Sequence, residues 1–228
     1  MSIPKTKIRV GTGAGFSDDR IDPAVDLAER GHVDYLVFEC LAERTIAREN
    51  LTRLKDPEKG YTPYLAERFQ AVLPACVKNK IRIVTNMGAA NPAAAARAVR
   101  REAKALGIHD LPVAVVTGDD VADIVRNNPQ LPLMEDGSPV EALIPRMASA
   151  NVYLGADVIR DGLATGAPVV MTGRVADPAL FLGSMMHGLG WSYNDYPKLA
   201  VGTLAGHMME GAAQLTGGRS EEHTSELQ

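Results

Sequence analysis

The chain has 228 residues, 46% of them hydrophobic and 23% charged, which is enough to bury the core of a sizeable domain and excludes a disordered protein. The formal net charge is -4, with lysines and arginines scattered along the chain, so the composition excludes the basic surface of a nucleic-acid-binding protein. Apolar runs are only strand-sized and the amino terminus lacks the apolar core of a signal peptide, so we predict a cytoplasmic protein with no nucleic-acid or membrane partner.

The first predicted unit is a strand, a glycine-rich turn, a helix and a second strand. The first strand covers residues 8–10 and leads into a turn that contains Gly11, Gly13 and Gly15. A dinucleotide-binding fingerprint would need its third glycine at the position of Phe16, so the pattern is not that fingerprint. The three glycines either make a tight turn or present backbone N–H groups to an anion, and we predict them as ligand-binding residues.

A polar loop follows the glycines and carries Asp18, Asp19 and Arg20. These side chains either face solvent or contact a ligand, because loops above a rigid sheet often carry binding residues. The next helix begins at Asp22-Pro23, where the aspartate could cap the helix and the proline has no N–H to leave unpaired. The same pattern of an acceptor before a proline recurs twice later in the chain.

A carboxylate directly follows the second predicted strand. This strand, residues 34–38, is an almost continuous apolar run, which is typical of a parallel strand covered on both faces. Glu39 therefore lies where a buried strand ends, and loss of water there would raise its pKa and suit a general acid or base. The alternative is an ion pair between Glu39 and Arg44 or another arginine. We predict Glu39 as a catalytic residue.

The rest of the chain repeats the alternation of strands and helices. Strands are predicted at residues 81–85, 112–117 and 168–172, and helices at residues 64–78, 93–106, 178–187 and 198–215. The alternation predicts an α/β fold with a mostly parallel sheet and helices on both faces, doubly wound and Rossmann-like. Because strand order cannot be derived from the pattern, a partial (β/α) barrel is the alternative fold.

The carboxyl ends of the parallel strands carry the predicted site, whether the sheet is open or closed into a barrel. Glycines and polar residues follow the third and fifth predicted strands, and they should meet if these strands are neighbours. The residues predicted there to bind a ligand are Asn86, Gly88, Asn91, Thr172, Gly173 and Arg174. Asp177 is predicted as a second catalytic carboxylate.

Three of these residues also have a structural explanation. Asn91 and Asp177 each precede a proline, so each could be a helix cap instead. Arg174 stands just before a helix start, where it could bind a phosphate or carboxylate, or form an internal salt bridge. His207 and Glu210 share one face of the last helix, but no third ligand is identifiable, so no metal is predicted and the cofactor is unknown.

Residues 219–228 differ from the rest of the chain. Their sequence, RSEEHTSELQ, has no apolar periodicity and resembles the translation of a sequencing-adapter read-through. We expect a non-native, disordered tail there, and a single α/β domain at residues 1–218 that is the amino-terminal part of a longer protein.

Three separate segments resemble the amino-terminal domain of the acyclic terpene utilisation AtuA-type family: GTGAGFSDDRIDPAVDLAERGHVDYLVFECLAERTIA, IVTNMGAANP and ADVIRDGLATGAPVVMTGRVADPALFLG. The resemblance covers residues 6–218. It implies a role in the bacterial catabolism of acyclic terpenes or of related branched acyl-CoA intermediates, without identifying a reaction or a catalytic residue. The expected ligand is a small molecule, with an acyl-CoA as one candidate, and the expected protein partner is a second copy or an acyl-CoA enzyme.

Two hypotheses follow from the residues and the resemblance. In the first, the protein is an enzyme that uses carboxylate acid–base chemistry on a terpenoid or branched acyl-CoA. In the second, it is a non-catalytic binding or assembly subunit for acyl-CoA enzymes of the same pathway. A raised pKa of Glu39 beside a deep pocket would favour the enzyme, whereas an exposed apolar patch and carboxylates paired with arginines would favour the subunit.

Overall fold

The structure is a computed structural model that describes residues 6–212, so the tail expected at residues 219–228 lies outside the described residues. Five strands form one sheet in the order β1-β2-β3-β5-β4, and every pair of neighbours is parallel. The predicted α/β fold with a parallel sheet is confirmed. The strands are β1 (Val10–Ala14), β2 (Tyr35–Phe38), β3 (Arg82–Thr85), β4 (Val113–Val115) and β5 (Val169–Met171).

Helices connect the strands and follow the last one. Two further single turns of 3-10 helix, Val140–Ala142 and Ile144–Arg146, lie in the proline-rich region before the sixth helix. The helices are α1 (Asp22–Arg30), α2 (Glu43–Lys55), α3 (Leu65–Asn79), α4 (Pro92–Ala105), α5 (Ala122–Asn127), α6 (Ala156–Ala164), α7 (Ala179–Leu189) and α8 (Tyr196–Glu210).

Each face of the sheet has its own apolar core. Leu36 and Phe38 of β2 pack with α1, α3 and α4, whereas Val37 between them packs with α6 and α7 on the opposite face. Successive strand side chains point to opposite faces, so a strand covered on both sides must be apolar at every position. All four residues of β2 are buried, as the apolar run predicts.

The direction of the chain reverses at the fourth strand. Strands β1, β2 and β3 step across the sheet in order, β4 forms at the far edge, and β5 then fills the place between β3 and β4. The loops after the neighbours β3 and β5 therefore lead to opposite faces, to α4 and to α7 respectively. In open parallel sheets such a divergence opens a ligand crevice at the carboxyl ends of the two strands.

The predicted glycine turn after residue 10 is wrong, because β1 continues through Gly11 and Gly13 to Ala14. A Cβ atom on Gly13 would lie 2.5 Å from Cε1 of the Phe38 ring. The glycine is therefore needed for close packing of a phenylalanine on the strand backbone, not for a turn. Gly15 alone follows the strand.

The pattern of an acceptor before a proline predicts helix starts better than it predicts caps. Asn91 is a cap, since its side chain accepts a hydrogen bond from the backbone N–H of Ala94 at 3.3 Å. Asp22 instead pairs with Arg20, and Asp177 pairs with Arg174 at 3.1 Å. Neither α1 nor α7 has a side-chain cap. The cap interpretation of Asp177 is therefore wrong.

The glycines of α8 mediate close packing within the chain. A Cβ atom on Gly202 would lie 2.7 Å from Leu182, and one on Gly206 would lie 2.9 Å from the carbonyl oxygen of Pro178. These contacts seat α8 against α7 and its leading loop. The carboxyl end of α8 reaches β1, where the Thr12 hydroxyl donates to the carbonyl of Met209 at 2.9 Å.

Candidate functional site

Glu39 lies at the end of β2 with only 5% of its surface exposed. Its Oε1 accepts hydrogen bonds from the side-chain amide of Asn86 at 2.7 Å and from the backbone N–H of Leu41 at 3.0 Å. The carbonyl oxygen of the Asn86 side chain accepts from the backbone N–H of Cys40 at 2.7 Å. Asn86 follows β3, so its amide joins the carboxyl ends of two neighbouring strands and fixes Glu39 between them.

Burial raises the pKa of Glu39 to about 7, because a charged carboxylate loses water there. The hydrogen bonds from Asn86 and Leu41 oppose this shift, while the nearby acids Asp177 and Glu210 add to it. Glu39 is held by these neutral donors and not by the ion pair with Arg44 considered from the sequence. A carboxyl with a pKa near 7 can both give and take a proton at neutral pH.

Two more acids lie close to Glu39. Asp177 follows β5, and Glu210 ends α8; burial raises the pKa of both carboxyls. Oδ1 of Asp177 and Oε2 of Glu210 are buried, and within residues 6–212 no donor meets hydrogen-bond geometry at either atom. Asp177 forms an ion pair with Arg174 at 3.1 Å, and Nδ1 of His207 lies 3.3 Å from Oε2 of Glu210. Glu39, Asp177 and Glu210 are called the acid cluster below.

Arg174 is buried beside the acid cluster, with 3% of its side chain exposed. Its guanidinium donates to the backbone carbonyl of Leu41, pairs with Glu43 at 3.0 Å as well as with Asp177, and lies 4.2 Å from the ring centre of Tyr153. The internal salt bridge considered from the sequence is therefore formed. The role of Arg174 in binding a ligand stays a prediction.

The loop after β1 is held by internal contacts. The Asp19 carboxylate accepts from the backbone N–H groups of Gly15 and Arg20, each at 2.9 Å. Buried Arg68 donates to the backbone carbonyls of Ser17 and Asp19, each at 2.7 Å. The Gly15 N–H proposed for an anion is thus already used by an aspartate. Arg20 and Asp18 are exposed, and Arg20 pairs with Asp22.

The loops after β3 and β5 touch each other closely. A Cβ atom on Gly88 would lie 2.4 Å from the carbonyl oxygen of Thr172, and one on Gly173 would lie 2.6 Å from the Asp119 carboxylate. The Asp119 carboxylate also accepts from the backbone N–H of Arg174 at 2.9 Å. The absence of side chains on these glycines lets the loops approach each other. Asn91 lies at the margin of the loops and donates hydrogen bonds to backbone carbonyls before α3.

The structure thus brings together Glu39, Asn86, Arg174 and Asp177 among the predicted residues. The sequence pattern did not predict Glu210 as a site residue, although it places Glu210 on the same helix face as His207. Its approach to Glu39 depends on the return of α8 across the sheet to β1. No local pattern carries that information.

Two adjoining cavities open at this edge of the sheet. The Arg174 cavity, about 190 Å³, lies against Glu43, Tyr153 and Arg174. The second, about 390 Å³, contains Arg53 and Arg126 in its walls and is called the arginine cavity below. Ser149 lines both.

A third cavity of about 410 Å³ lies at the opposite edge, around the first residues of β3 and β5. Its walls are mostly aliphatic, and no member of the acid cluster lines any of these three cavities; the Arg174 cavity adjoins the cluster through Arg174, which pairs with Asp177. Size alone therefore does not identify a functional site here. No group of three histidine, cysteine or acidic residues within residues 6–212 could hold a metal. Nor is any helix in that range long and apolar enough to cross a membrane.

These observations define a class of protein: an α/β protein with an all-parallel sheet and buried acids at the carboxyl ends of its strands. The chain belongs to the acyclic terpene utilisation family AtuA, whose model matches residues 8–227. The resemblance seen in the sequence is confirmed, and with it a context of acyclic terpene utilisation. No curated protein and no solved structure matches the chain.

Proposed function

We propose that the protein is a cytoplasmic enzyme of acyclic terpene catabolism that transfers a proton to or from the acyl group of a terpenoid or related branched acyl-CoA. The observation that carries the proposal is Glu39, a buried carboxyl with a pKa of about 7 that is held by neutral donors. Such a group exchanges protons near neutral pH, whereas a carboxylate paired with an arginine stays ionised. The family supplies the context of acyclic terpene utilisation, and the acyl-CoA form of the substrate is part of the proposal.

Each neighbour of Glu39 has a role in this chemistry. Asn86 fixes the direction of the carboxyl by donating one hydrogen bond to it, and is itself held by the backbone N–H of Cys40, which donates to its side-chain oxygen. Asp177 is the second catalytic carboxylate: it pairs with Arg174 and serves as an ionised base beside Glu39, although burial raises its pKa. Glu210 adds a third negative charge when ionised, which keeps a proton on Glu39 at higher pH.

The test is deuterium incorporation into the acyl group of geranyl-CoA in D₂O, followed by mass spectrometry on the full chain. We expect Glu39→Gln to slow exchange by about 100-fold or more, which is the typical contribution of general acid–base catalysis. Glutamine can still accept the hydrogen bonds from Asn86 and Leu41, so calorimetric binding of geranyl-CoA should change little.

Glu49→Gln is the matched control, because Glu49 is also buried but pairs with Arg48 at 2.8 Å. It should leave the exchange rate unchanged. If the unaltered chain incorporates no deuterium and binds neither CoA nor geranyl-CoA, the proposed enzyme is wrong.

A second function is favoured by a separate observation on α8. Val201, Leu204 and Met208 lie three and four residues apart on one helix face, and 67%, 62% and 51% of their surfaces are exposed. An exposed apolar stripe of this kind suits a protein contact. In this alternative the protein is a non-catalytic subunit that binds an acyl-CoA enzyme of the same pathway, or a second copy of itself.

Leu204→Lys separates the two functions. Analytical ultracentrifugation of the chain alone, and with an acyl-CoA enzyme of the pathway, should show association that Leu204→Lys abolishes if the subunit hypothesis holds. Deuterium exchange that depends on Glu39 in a monomer unaffected by Leu204→Lys would rule that hypothesis out.

A further inference from the structure

The arginine cavity combines cationic and apolar walls beside the Arg174 cavity. Arg53 and Arg126 contribute positive charge, against which Asp120 supplies a negative one. Leu54 and Pro57 form an apolar side of the same cavity. A volume of about 390 Å³ suits one portion of a larger ligand.

Arg53 is held across two strand-end loops. Its Nη1 donates to the carbonyl of Ala90 at 2.8 Å and lies 3.4 Å from the Asp120 carboxylate. These loops follow β3 and β4, so the guanidinium stands at the same edge as the acid cluster. The carbonyl contact positions the group, while the contact with Asp120 is long and solvent-exposed, and therefore weak.

Arg126 reaches the cavity from α5. Its partner is Asp123 on the same helix at 2.9 Å, and that carboxylate is 91% exposed. An exposed pair of this kind adds little free energy, so the guanidinium can exchange its partner for a stronger anion at small cost. Phosphate is the anion best matched to two arginines, because a guanidinium binds two of its oxygens in one plane.

We propose that the arginine cavity binds the phosphate groups of the same ligand whose acyl end reaches the acid cluster. The inference rests on the proposed function, because it assigns the two cavities to one elongated molecule. The two cavities are adjacent, which supports the assignment. Ser149 lines both of them. Asn50, in the wall of the arginine cavity, donates a side-chain hydrogen bond at 3.3 Å to Asn151, in the wall of the Arg174 cavity. The apolar side at Leu54 and Pro57 receives a nucleoside ring attached to those phosphates.

The experiment measures calorimetric binding of three probes to the full chain: adenosine 3′,5′-bisphosphate, inorganic phosphate and geranyl-pantetheine. The bisphosphate carries the phosphorylated end alone, and geranyl-pantetheine carries the acyl end alone. We expect the double variant Arg53→Gln, Arg126→Gln to weaken bisphosphate binding by about tenfold or more, as loss of charged hydrogen bonds does. Geranyl-pantetheine binding should be unchanged in this variant.

Arg30→Gln is the control, because Arg30 is also an exposed arginine paired with an aspartate of its own helix, on α1. It should leave bisphosphate binding unchanged. Arg126→Gln alone should weaken bisphosphate binding by about threefold or more. Among the described residues Arg126 pairs with Asp123, which is exposed, so a folding defect in this variant is not expected.

The two proposals fail in different ways. If the bisphosphate does not bind, or binds equally to the double variant, the phosphate site is wrong even where geranyl-pantetheine binds and Glu39→Gln stops exchange. If inorganic phosphate binds as tightly as the bisphosphate, the cavity is a site for free phosphate and the assignment to one elongated ligand is overturned. If the bisphosphate result holds but geranyl-CoA exchanges no deuterium, the proton-transfer function is wrong and the phosphate site stands.

Discussion

Buried polar groups lie at both edges of the sheet, and their hydrogen bonding differs between the two edges. At the amino-terminal edge, the Tyr35 hydroxyl and Nδ1 of His187 lie 2.8 Å apart, while Arg82 contacts Nε2 of His187 at 3.2 Å and donates to the carbonyl of Leu163 at 2.9 Å. Tyr35, Arg82 and His187 are called the histidine cluster below. At the carboxyl-terminal edge, two oxygens of the acid cluster lack hydrogen-bond geometry with any described donor.

We interpret the difference as a division of roles, in which the amino-terminal edge stabilises the fold and the carboxyl-terminal edge carries the proposed chemistry. In the histidine cluster each ring nitrogen of His187 has a partner, which is what a buried polar group needs for stability. The acid cluster gathers three carboxyls whose pKa values are all raised, an arrangement that costs stability. Proteins retain such arrangements at functional sites.

The largest expected effect is a pH dependence of the free energy of unfolding that has opposite signs for the two edges. The pKa of Glu39 is about 7 in the folded chain against 4.5 ordinarily, so the folded state binds the extra proton between these values. The free energy of unfolding should therefore fall as pH rises from 5 to 8, by about 3 kcal/mol from Glu39 alone. Urea denaturation at several pH values measures it, and Glu39→Gln should remove most of the slope.

The histidine cluster should act in the reverse direction. Burial lowers the pKa of His187, and the charge of Arg82 adds to the shift, so the unfolded state takes up a proton more readily. Stability from this group is lost as pH falls below its ordinary value near 6.5. If the Glu39→Gln variant lost stability with rising pH as steeply as the unaltered chain, the expected contrast between the two edges would be wrong.

A smaller effect is expected from Gly13→Ala within β1. The added methyl would lie 2.5 Å from the Phe38 ring, so the core must shift and the free energy of unfolding should fall by about 2 kcal/mol. Thermal unfolding measures the loss. Gly155→Ala is the control, because its added methyl meets only the flexible carboxylate of Asp157 and should cost much less.

The smallest expected effect comes from Tyr35→Phe at the amino-terminal edge. Removing the hydroxyl leaves Nδ1 of His187 without this partner, and about 1 kcal/mol of stability should be lost in urea denaturation. Deuterium exchange of geranyl-CoA should be unaffected, since the cluster is remote from Glu39. A slowed exchange in a stable Tyr35→Phe variant would contradict the division between the edges.

Local pattern was enough to predict the alternation of elements and the position of Glu39. An apolar run covered on both faces must end where the chain leaves the core, so the first carboxylate after it is expected at the edge of the sheet. The pattern could not decide how each polar group is satisfied. Asp22 and Asp177 have the same sequence context as Asn91, yet both pair with nearby arginines, because an arginine within three residues competes with the helix N–H groups.

The remaining errors depend on contacts between distant segments. The glycines of β1 look like a turn until Phe38 is known to pack on them. Glu210 joins the site only because α8 crosses to the end of β1. That β3 and β5 are neighbours depends on the strand order, and the periodicity of a single sequence does not contain this information.

In the proposed proton transfer, the two hydrogen bonds that hold Glu39 determine the handedness of the product. Both hydrogen bonds, from Asn86 and from Leu41, go to Oε1, so the proton of the neutral acid resides on Oε2. A proton donor fixed in this way approaches a bound planar carbon from one side only. Deuterium introduced by the protein should therefore form a single stereoisomer, and chiral analysis of the labelled acyl group would show it.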